Sequence, residues 1–279
     1  MKQEAILDYY IVNGELQPVE NQKIFQEISG PLIYEVIRVV EGTALFFEDH
    51  MDRMRKSAEL LGYTISTNNK ILFNEIQELI RANHYPQLNI KLLLGDLDKK
   101  EQKFLLYFVE SNYPALEVYQ KGIHTILFLS ERENPNAKVV DSNLRQRVRE
   151  SMEKQRAYEV LLINQENYIT EGSRSNIFFV RENQLITAPE GDVLLGVTRK
   201  RIMEVCKKLG IDVRLELIHR NQLEELQGAF MTGTSVKVLP ICSIGEIPYN
   251  SVKNNIIERV QQGYEEDVRD YIHKRNVHR

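Results

Sequence analysis

At 279 residues the chain exceeds a small single domain, so two packed domains with separate cores are the default organisation. A formal net charge of −4 provides no clustered basic face for nucleic-acid phosphates. The two cysteines, Cys206 and Cys242, lack a Cys-x-x-Cys spacing and the six histidines form no His-x-x-x-His pair, which argues against a disulfide frame or a metal site.

The opening residues, Met1 to Asp8, contain no apolar run of signal-peptide length, and no later segment approaches a membrane span, so a soluble cytoplasmic protein is expected. A helix is expected from Glu48 or Asp49 to about Leu61, with Met51, Met54, Ala58 and Leu61 on one face and Gly62 at its end. A second covers roughly 69–83 and turns Leu72, Ile76, Leu79 and Ile80 inward. The apolar runs 90–94 and 104–109, joined by a polar segment, read as a hairpin. The stretch Glu110-Ser111-Asn112-Tyr113-Pro114 breaks the pattern and places a domain boundary there, giving domains 1–114 and 115–279.

The second half opens with a strand around 124–129, a polar connection holding Asn134-Pro135-Asn136-Ala137-Lys138, and a helix over about 142–156. Apolar runs at 160–163 and 177–180 then flank a turn rich in Gly and Ser, which is read as one hairpin. A helix at 198–209, strands near 213–218 and 229–232, and a terminal helix complete the chain. In that helix Val252, Ile256, Val260, Tyr264, Val268 and Ile272 make an apolar stripe.

The Gly- and Ser-rich turn within Glu171-Gly172-Ser173-Arg174-Ser175-Asn176 would put Glu171 and Asn176 at strand ends where backbone donors point inward, a carboxylate where a core would otherwise begin. A buried carboxylate without a donor or cation costs several kcal/mol, so the sequence implies something cationic facing it; a solvated hairpin glutamate is the competing reading. Three further segments supply what a phosphorylated aromatic cofactor needs. Leu194-Leu195-Gly196-Val197-Thr198-Arg199 precedes an amphipathic helix, so amides near Val197 and Thr198 can receive a phosphate, unless Thr198 is an ordinary cap. Thr232-Gly233-Thr234-Ser235 offers hydroxyls and a close backbone approach at a strand end, or a plain turn. Arg53, in a helix that otherwise buries methionines, can fork onto phosphate oxygens.

These residues resemble the pyridoxal-phosphate enzymes of aminotransferase class IV. The likeness is carried by Tyr34-Glu35-Val36-Ile37-Arg38-Val39, His50-x-x-Arg53 followed by Ser57-Ala58, Glu171-Gly172-Ser173 with Asn176-Ile177-Phe178, Gly196-Val197-Thr198-Arg199, and Thr232-Gly233-Thr234 with Pro240, in the family's order over almost the whole chain. The resemblance implies an α/β (α+β) fold of type IV: a smaller N-terminal α/β domain, a larger C-terminal domain around a barrel-like sheet, pyridoxal 5'-phosphate in the cleft, and a homodimer. It implies that Glu171 faces the pyridine nitrogen and that Arg53, the amides of Val197 and Thr198, and the Thr234 hydroxyl hold the phosphate. Ser173, Asn176, Leu194, Gly196 and Ser235 complete the cofactor-binding set. Lys138, 33 residues before Glu171, is implied as the Schiff-base and proton-carrying residue; an exposed loop lysine is what the bare residue would otherwise suggest.

Substrate residues depart from the family. Ser29-Gly30-Pro31-Leu32-Ile33 replaces the usual Gly-Asp-Gly, Leu94 stands where D-amino-acid enzymes typically carry Arg, and Asn89-Ile90-Lys91 replaces a Tyr-x-Arg pattern. Tyr34 resembles the D-amino-acid enzymes and Lys91 is a candidate for a substrate carboxylate, with a surface strand lysine as its competing reading. The expected activity is transfer of an amino group between a branched-chain or D-amino acid and a 2-oxo acid. An aminodeoxychorismate lyase is the alternative, and a degenerate member acting as a binding protein is the reading from another class.

Overall fold

In a computed structural model of the chain, residues 4–21, 23–130, 136–139 and 142–277 are described. The chain divides into two compact units, one of Met1–Asn112, Ala137–Val140 and Arg269–Arg279, the other of Tyr113–Asn136 and Asp141–Val268.

The first unit contains β1 (Ile6–Val12), β2 (Glu15–Pro18), α1 (Ile24–Glu27), β3 (Ile33–Val40), β4 (Thr43–Ala44), α2 (Phe47–Leu60), α3 (Asn69–Ala82), β5 (Asn89–Gly95) and β6 (Lys103–Val109). Its strands form one antiparallel sheet in the order β2-β1-β6-β5-β3-β4. Strand alternation sorts the side chains: Ile33, Ile37 and Val39 of β3 join Ile90, Leu92 and Leu94 of β5 in a core with the inner faces of α2 and α3. Tyr10, Leu93, Leu105 and Tyr107 form a second cluster with the half-buried Tyr34. Each aliphatic side chain so buried contributes about 1.5–3 kcal/mol. The expected helix faces are present, Met51, Met54 and Ala58 on α2 and Leu72, Ile76, Leu79 and Ile80 on α3. Asn68 caps α3 by accepting from the Ile71 N–H at 3.0 Å. The hairpin of β5 and β6 is also as expected, with Leu94 opposite Phe104.

The second unit holds α4 (Leu116–Lys121), β7 (Ile123–Leu129), α5 (Ser142–Gln155), β8 (Glu159–Ile163), β9 (Tyr168–Gly172), β10 (Asn176–Arg181), β11 (Gln184–Thr187), α6 (Val197–Leu209), β12 (Val213–Leu215), β13 (Ile218–His219), β14 (Gly228–Gly233), β15 (Lys237–Ile244), β16 (Ile247–Pro248) and α7 (Asn255–Val277) as far as Val268, the rest of that helix belonging to the first unit. Its sheet runs β12-β11-β10-β14-β15-β7-β8-β9-β13, with β16 on β15. Only β11/β12, β15/β7 and β7/β8 are parallel among the described pairs, which makes the mixed α+β class explicit. This sheet is the barrel-like one expected of the larger domain.

Two sequence expectations are corrected here. Residues 160–163 and 177–180 do not form a direct hairpin: β9 intervenes and pairs with β8 and β13, while β10 pairs with β11 and β14. Its alternating burial, with Ile169 and Glu171 inward and Thr170 half-exposed, carries only one aliphatic residue, too short an apolar signal to announce a strand. The single strand expected over 213–218 is β12 and β13, with different partners. In the terminal stripe, Val252 lies in a 3-10 turn ahead of α7. Of the polar connection before α5, Asn134 and Pro135 lie outside the described residues.

Candidate active site

Lys138 is held by its backbone within the first unit. Tyr34 N–H of β3 donates to the Lys138 carbonyl at 3.2 Å, and Val139 bridges Ile33 in antiparallel register. From α2, the Ser57 hydroxyl accepts from Lys138 N–H at 3.2 Å and donates to the Arg53 carbonyl at 2.9 Å. A strand and a helix therefore fix the same residue, and its half-buried ammonium lies 4.8 Å from the Tyr34 ring centroid. This is not the setting of an exposed loop lysine. Lys91 shares the ring, with Nζ 5.4 Å from the Tyr34 centroid and 5.8 Å from that of Tyr107. Lys91 is buried, not the surface lysine of the competing reading, and it is ion-paired with Glu4.

Behind this group, β3 places Glu35 in its core-facing register, fully buried. Two residues one turn apart on α2 answer it. Arg53 grips both oxygens, Nε to Oε1 at 2.7 Å and Nη2 to Oε2 at 2.6 Å, while the His50 Nδ1–H donates to Oε2 at 2.7 Å. Burial alone would raise the Glu35 carboxyl, but the Arg53 charge and hydrogen bonds, with those of His50, hold it down at about 2. Burial pushes the His50 pKa down, and the Arg53 and Lys138 charges push the same way against Glu35. The triad is thus a carboxylate, a guanidinium and a neutral imidazole. The fork that the sequence reading assigns to phosphate is directed at Glu35 here. The sequence signal for Glu35 is a carboxylate in the buried phase of the alternation along β3.

In the second unit Glu171 stands inward on β9 and is 3% exposed. Its Oε2 accepts from the Leu194 N–H at 3.1 Å, and the Asn176 amide donates to the Leu194 carbonyl at 2.8 Å. One residue ahead of α6 is therefore pinned at both its N–H and its carbonyl, by Glu171 and Asn176. Tight approach requires glycine at two points: a Cβ on Gly172 would come 2.0 Å from Ser175 Oγ, and one on Gly196 2.1 Å from Asn176 Oδ1. Gly196 is the N-cap of α6 and gives no side-chain cap, so the first amides, at Val197 and the buried Thr198, begin on a bare backbone end. Thr234 and Ser235 occupy the turn between β14 and β15. Arg199 donates through Nη2 to the Ala188 carbonyl at 3.0 Å, while its Nε and the Thr232 hydroxyl are buried without a protein hydrogen bond.

The sequence reading missed Glu159. This buried carboxylate on β8 accepts from the Ser173 hydroxyl at 2.6 Å and from Ser175 at 3.4 Å, and so ties the 172–175 turn to the neighbouring strand. Ser173, expected on the cofactor, gives its hydroxyl to Glu159. An acid opening the apolar run Val160 to Ile163 was the available signal. Among the described residues no cluster of His, Cys, Asp and Glu could hold a metal ion, and no helix is long and apolar enough to cross a membrane.

The family profile for class IV amino-transferases matches residues 32–244. A probable branched-chain-amino-acid aminotransferase of Rickettsia conorii is 28% identical over 97% of this chain and 99% of its own length. The branched-chain-amino-acid aminotransferase of Salmonella typhimurium is 26% identical over 92% of both. Among solved structures, the Escherichia coli branched-chain amino acid aminotransferase superposes with a TM-score of 0.85 at 23% identity, covering 94% of this chain and 95% of that one. A putative 4-amino-4-deoxychorismate lyase of Legionella pneumophila gives 0.75 at 21% identity, over 88% and 93%. A T.th. branched-chain enzyme solved with pyridoxamine 5'-phosphate gives 0.83 at 25% identity, over 95% of each chain.

Proposed function

Because the chain belongs to the class IV aminotransferase family, we propose that it is a pyridoxal-phosphate enzyme that moves an amino group between a branched-chain amino acid and a 2-oxo acid. The observation that carries the proposal is the placement of Lys138, an amine fixed by strand and helix beside an aromatic ring.

The donors suit a phosphorylated, protonated heterocycle. Glu171 is a buried carboxylate already held by one amide, α6 begins on an uncapped glycine, and the Thr232 hydroxyl and Arg199 Nε are buried polar atoms that no protein group takes. Pyridoxal phosphate, when bound, supplies an electron sink for the charge left on a substrate α carbon after its proton is removed. Lys138 Nζ takes that proton. Glu171 would hold a proton on the ring nitrogen, the Val197 and Thr198 amides and the Thr234 hydroxyl would bind the phosphate, joined by whichever Arg53 N–H groups the Glu35 pairing leaves available, and Tyr34 and Lys91 would orient the substrate. Ser173, Asn176, Leu194, Gly196 and Ser235 shape the same cofactor set. The homodimer and a cytoplasmic location belong to the same proposal.

Purified protein mixed with L-leucine, L-valine or D-alanine and 2-oxoglutarate should form glutamate from the branched-chain donors. Formation of pyruvate and 4-aminobenzoate from aminodeoxychorismate, without amino transfer, would replace this reading with the lyase. A colourless protein that takes up no pyridoxal phosphate would replace it with the non-catalytic one.

A further inference from the structure

Lys91 poses an electrostatic problem that the proposed reaction alone does not solve. Its side chain is 7% exposed and stands on the sheet face of Tyr34 and Tyr107, opposite the face of Ile90 and Leu92. An ammonium buried among aromatic rings gains cation–π attraction from both, yet without a counter-ion it is strongly destabilising. Glu4 provides the counter-ion: its carboxylate pairs with Lys91 and accepts from the Tyr107 hydroxyl at 3.2 Å. The two members of the pair differ in freedom. Lys91 comes from a central strand with neighbours on both sides, whereas Glu4 precedes β1 and its side chain is 35% exposed. The carboxylate can therefore swing into water while the ammonium stays. The cation it would leave behind lies against the same ring as the Lys138 amine, at 5.4 Å and 4.8 Å from the centroid.

We propose that Glu4 is a resident counter-ion that determines specificity: it neutralises Lys91 while a substrate with an uncharged side chain is bound, and it yields Lys91 to the second carboxylate of a dicarboxylic substrate. The inference rests on the aminotransferase reading, in which two amino-group partners of different side-chain charge use one site in turn. One carboxylate replaces another on a fixed cation, so the buried charge balance is the same in both halves of the cycle. A neutral partner never strands the ammonium, and an acidic one never adds a buried anion.

The test is calorimetric titration with glutarate and with 4-methylvalerate, which carry no amino or oxo group and report binding without turnover. The protein is titrated loaded with pyridoxal phosphate and again without it, as wild type, Glu4→Gln, Glu4→Asp and Lys91→Met. Glu4→Gln should bind glutarate at least tenfold more tightly and 4-methylvalerate a few-fold more weakly, because the competitor is gone and the cation is left bare. Glu4→Asp should return the ratio of the two affinities towards wild type, and Lys91→Met should abolish the glutarate gain. An unchanged ratio in Glu4→Gln, or wild-type glutarate binding in Lys91→Met, would overturn the proposal. Failure to bind pyridoxal phosphate would instead count against the aminotransferase reading, and the ratio measured without cofactor would still decide the role of Glu4.

Discussion

Two buried carboxylates, one in each unit, are held by opposite means. Glu35 is closed in by side-chain cations and donors from a single helix turn, and its carboxyl sits at about 2. Glu171 is buried almost as deeply, and its Oε2 accepts from the backbone N–H of Leu194. The contrast separates clamp from chemistry. A carboxylate compensated by an arginine has its charge balanced within the protein and serves to fix that arginine and the helix bearing it. Glu171 is oriented by the main chain that leads into α6, and its proposed role is to face the protonated pyridine of the cofactor.

The largest effect that would test this division is at Lys138, the amine that works beside the clamp. Lys138→Ala should lower transamination by about 10²–10⁴-fold or more, and borohydride should no longer fix the cofactor to the chain. Persistent fixation would assign the linkage to another lysine. Next comes Glu35→Gln, which leaves the buried Arg53 without its counter-charge and should cost about 3–5 kcal/mol in a urea unfolding measurement. The same clamp predicts acid sensitivity. The unfolded chain takes up protons first at both groups: at His50 below its ordinary 6.5, and at Glu35 below its ordinary 4.5, since both are depressed in the folded protein. Stability should therefore be complete near neutrality, begin to fall below pH 6.5, and fall further from 4.5 towards 2. Glu35→Gln should shrink the lower step, the remainder belonging to the Asp96 carboxyl that Lys99 and Ser29 also hold down, and a lower step of unchanged size would refute the assignment.

Glu171→Gln should give the smallest change. The amide oxygen still accepts from Leu194, so the fold of the cofactor-free protein should move by less than about 1 kcal/mol, whereas losing a charge-assisted hydrogen bond should weaken cofactor retention about 10–100-fold. A large loss of stability without cofactor would place Glu171 on the same side of the comparison as Glu35.

Much of this was legible in the chain. Glycine next to an inward acid and Gly196 before an amphipathic helix are local patterns, and the Ser175 and Asn176 side chains that leave no room for a Cβ at 172 and 196 make that need visible in the sequence. The faces of α2 and α3 and the hairpin of β5 and β6 followed from periodicity, since burial repeats at 3.6 or 2 residues whatever lies opposite. The strand β9 was not legible because the residues that matter there are polar and paired. Glu159 was missed because its partners, Ser173 and Ser175, look like turn formers until β8 and β9 are side by side. The counter-ion of Lys91 was hidden further still, 87 residues away near the start of the chain.

The order of motifs by itself determined the family, and it singled out the side chains proposed to bind a phosphorylated ring and the amine proposed to react. Only the tertiary structure decided which charges are already balanced: that Arg53 answers Glu35, that Glu4 answers Lys91, and that Ser57 and Tyr34 hold Lys138. The reason is that covalent order records what each residue can offer, while the energy of a buried charge depends on what folding brings within about 4 Å of it.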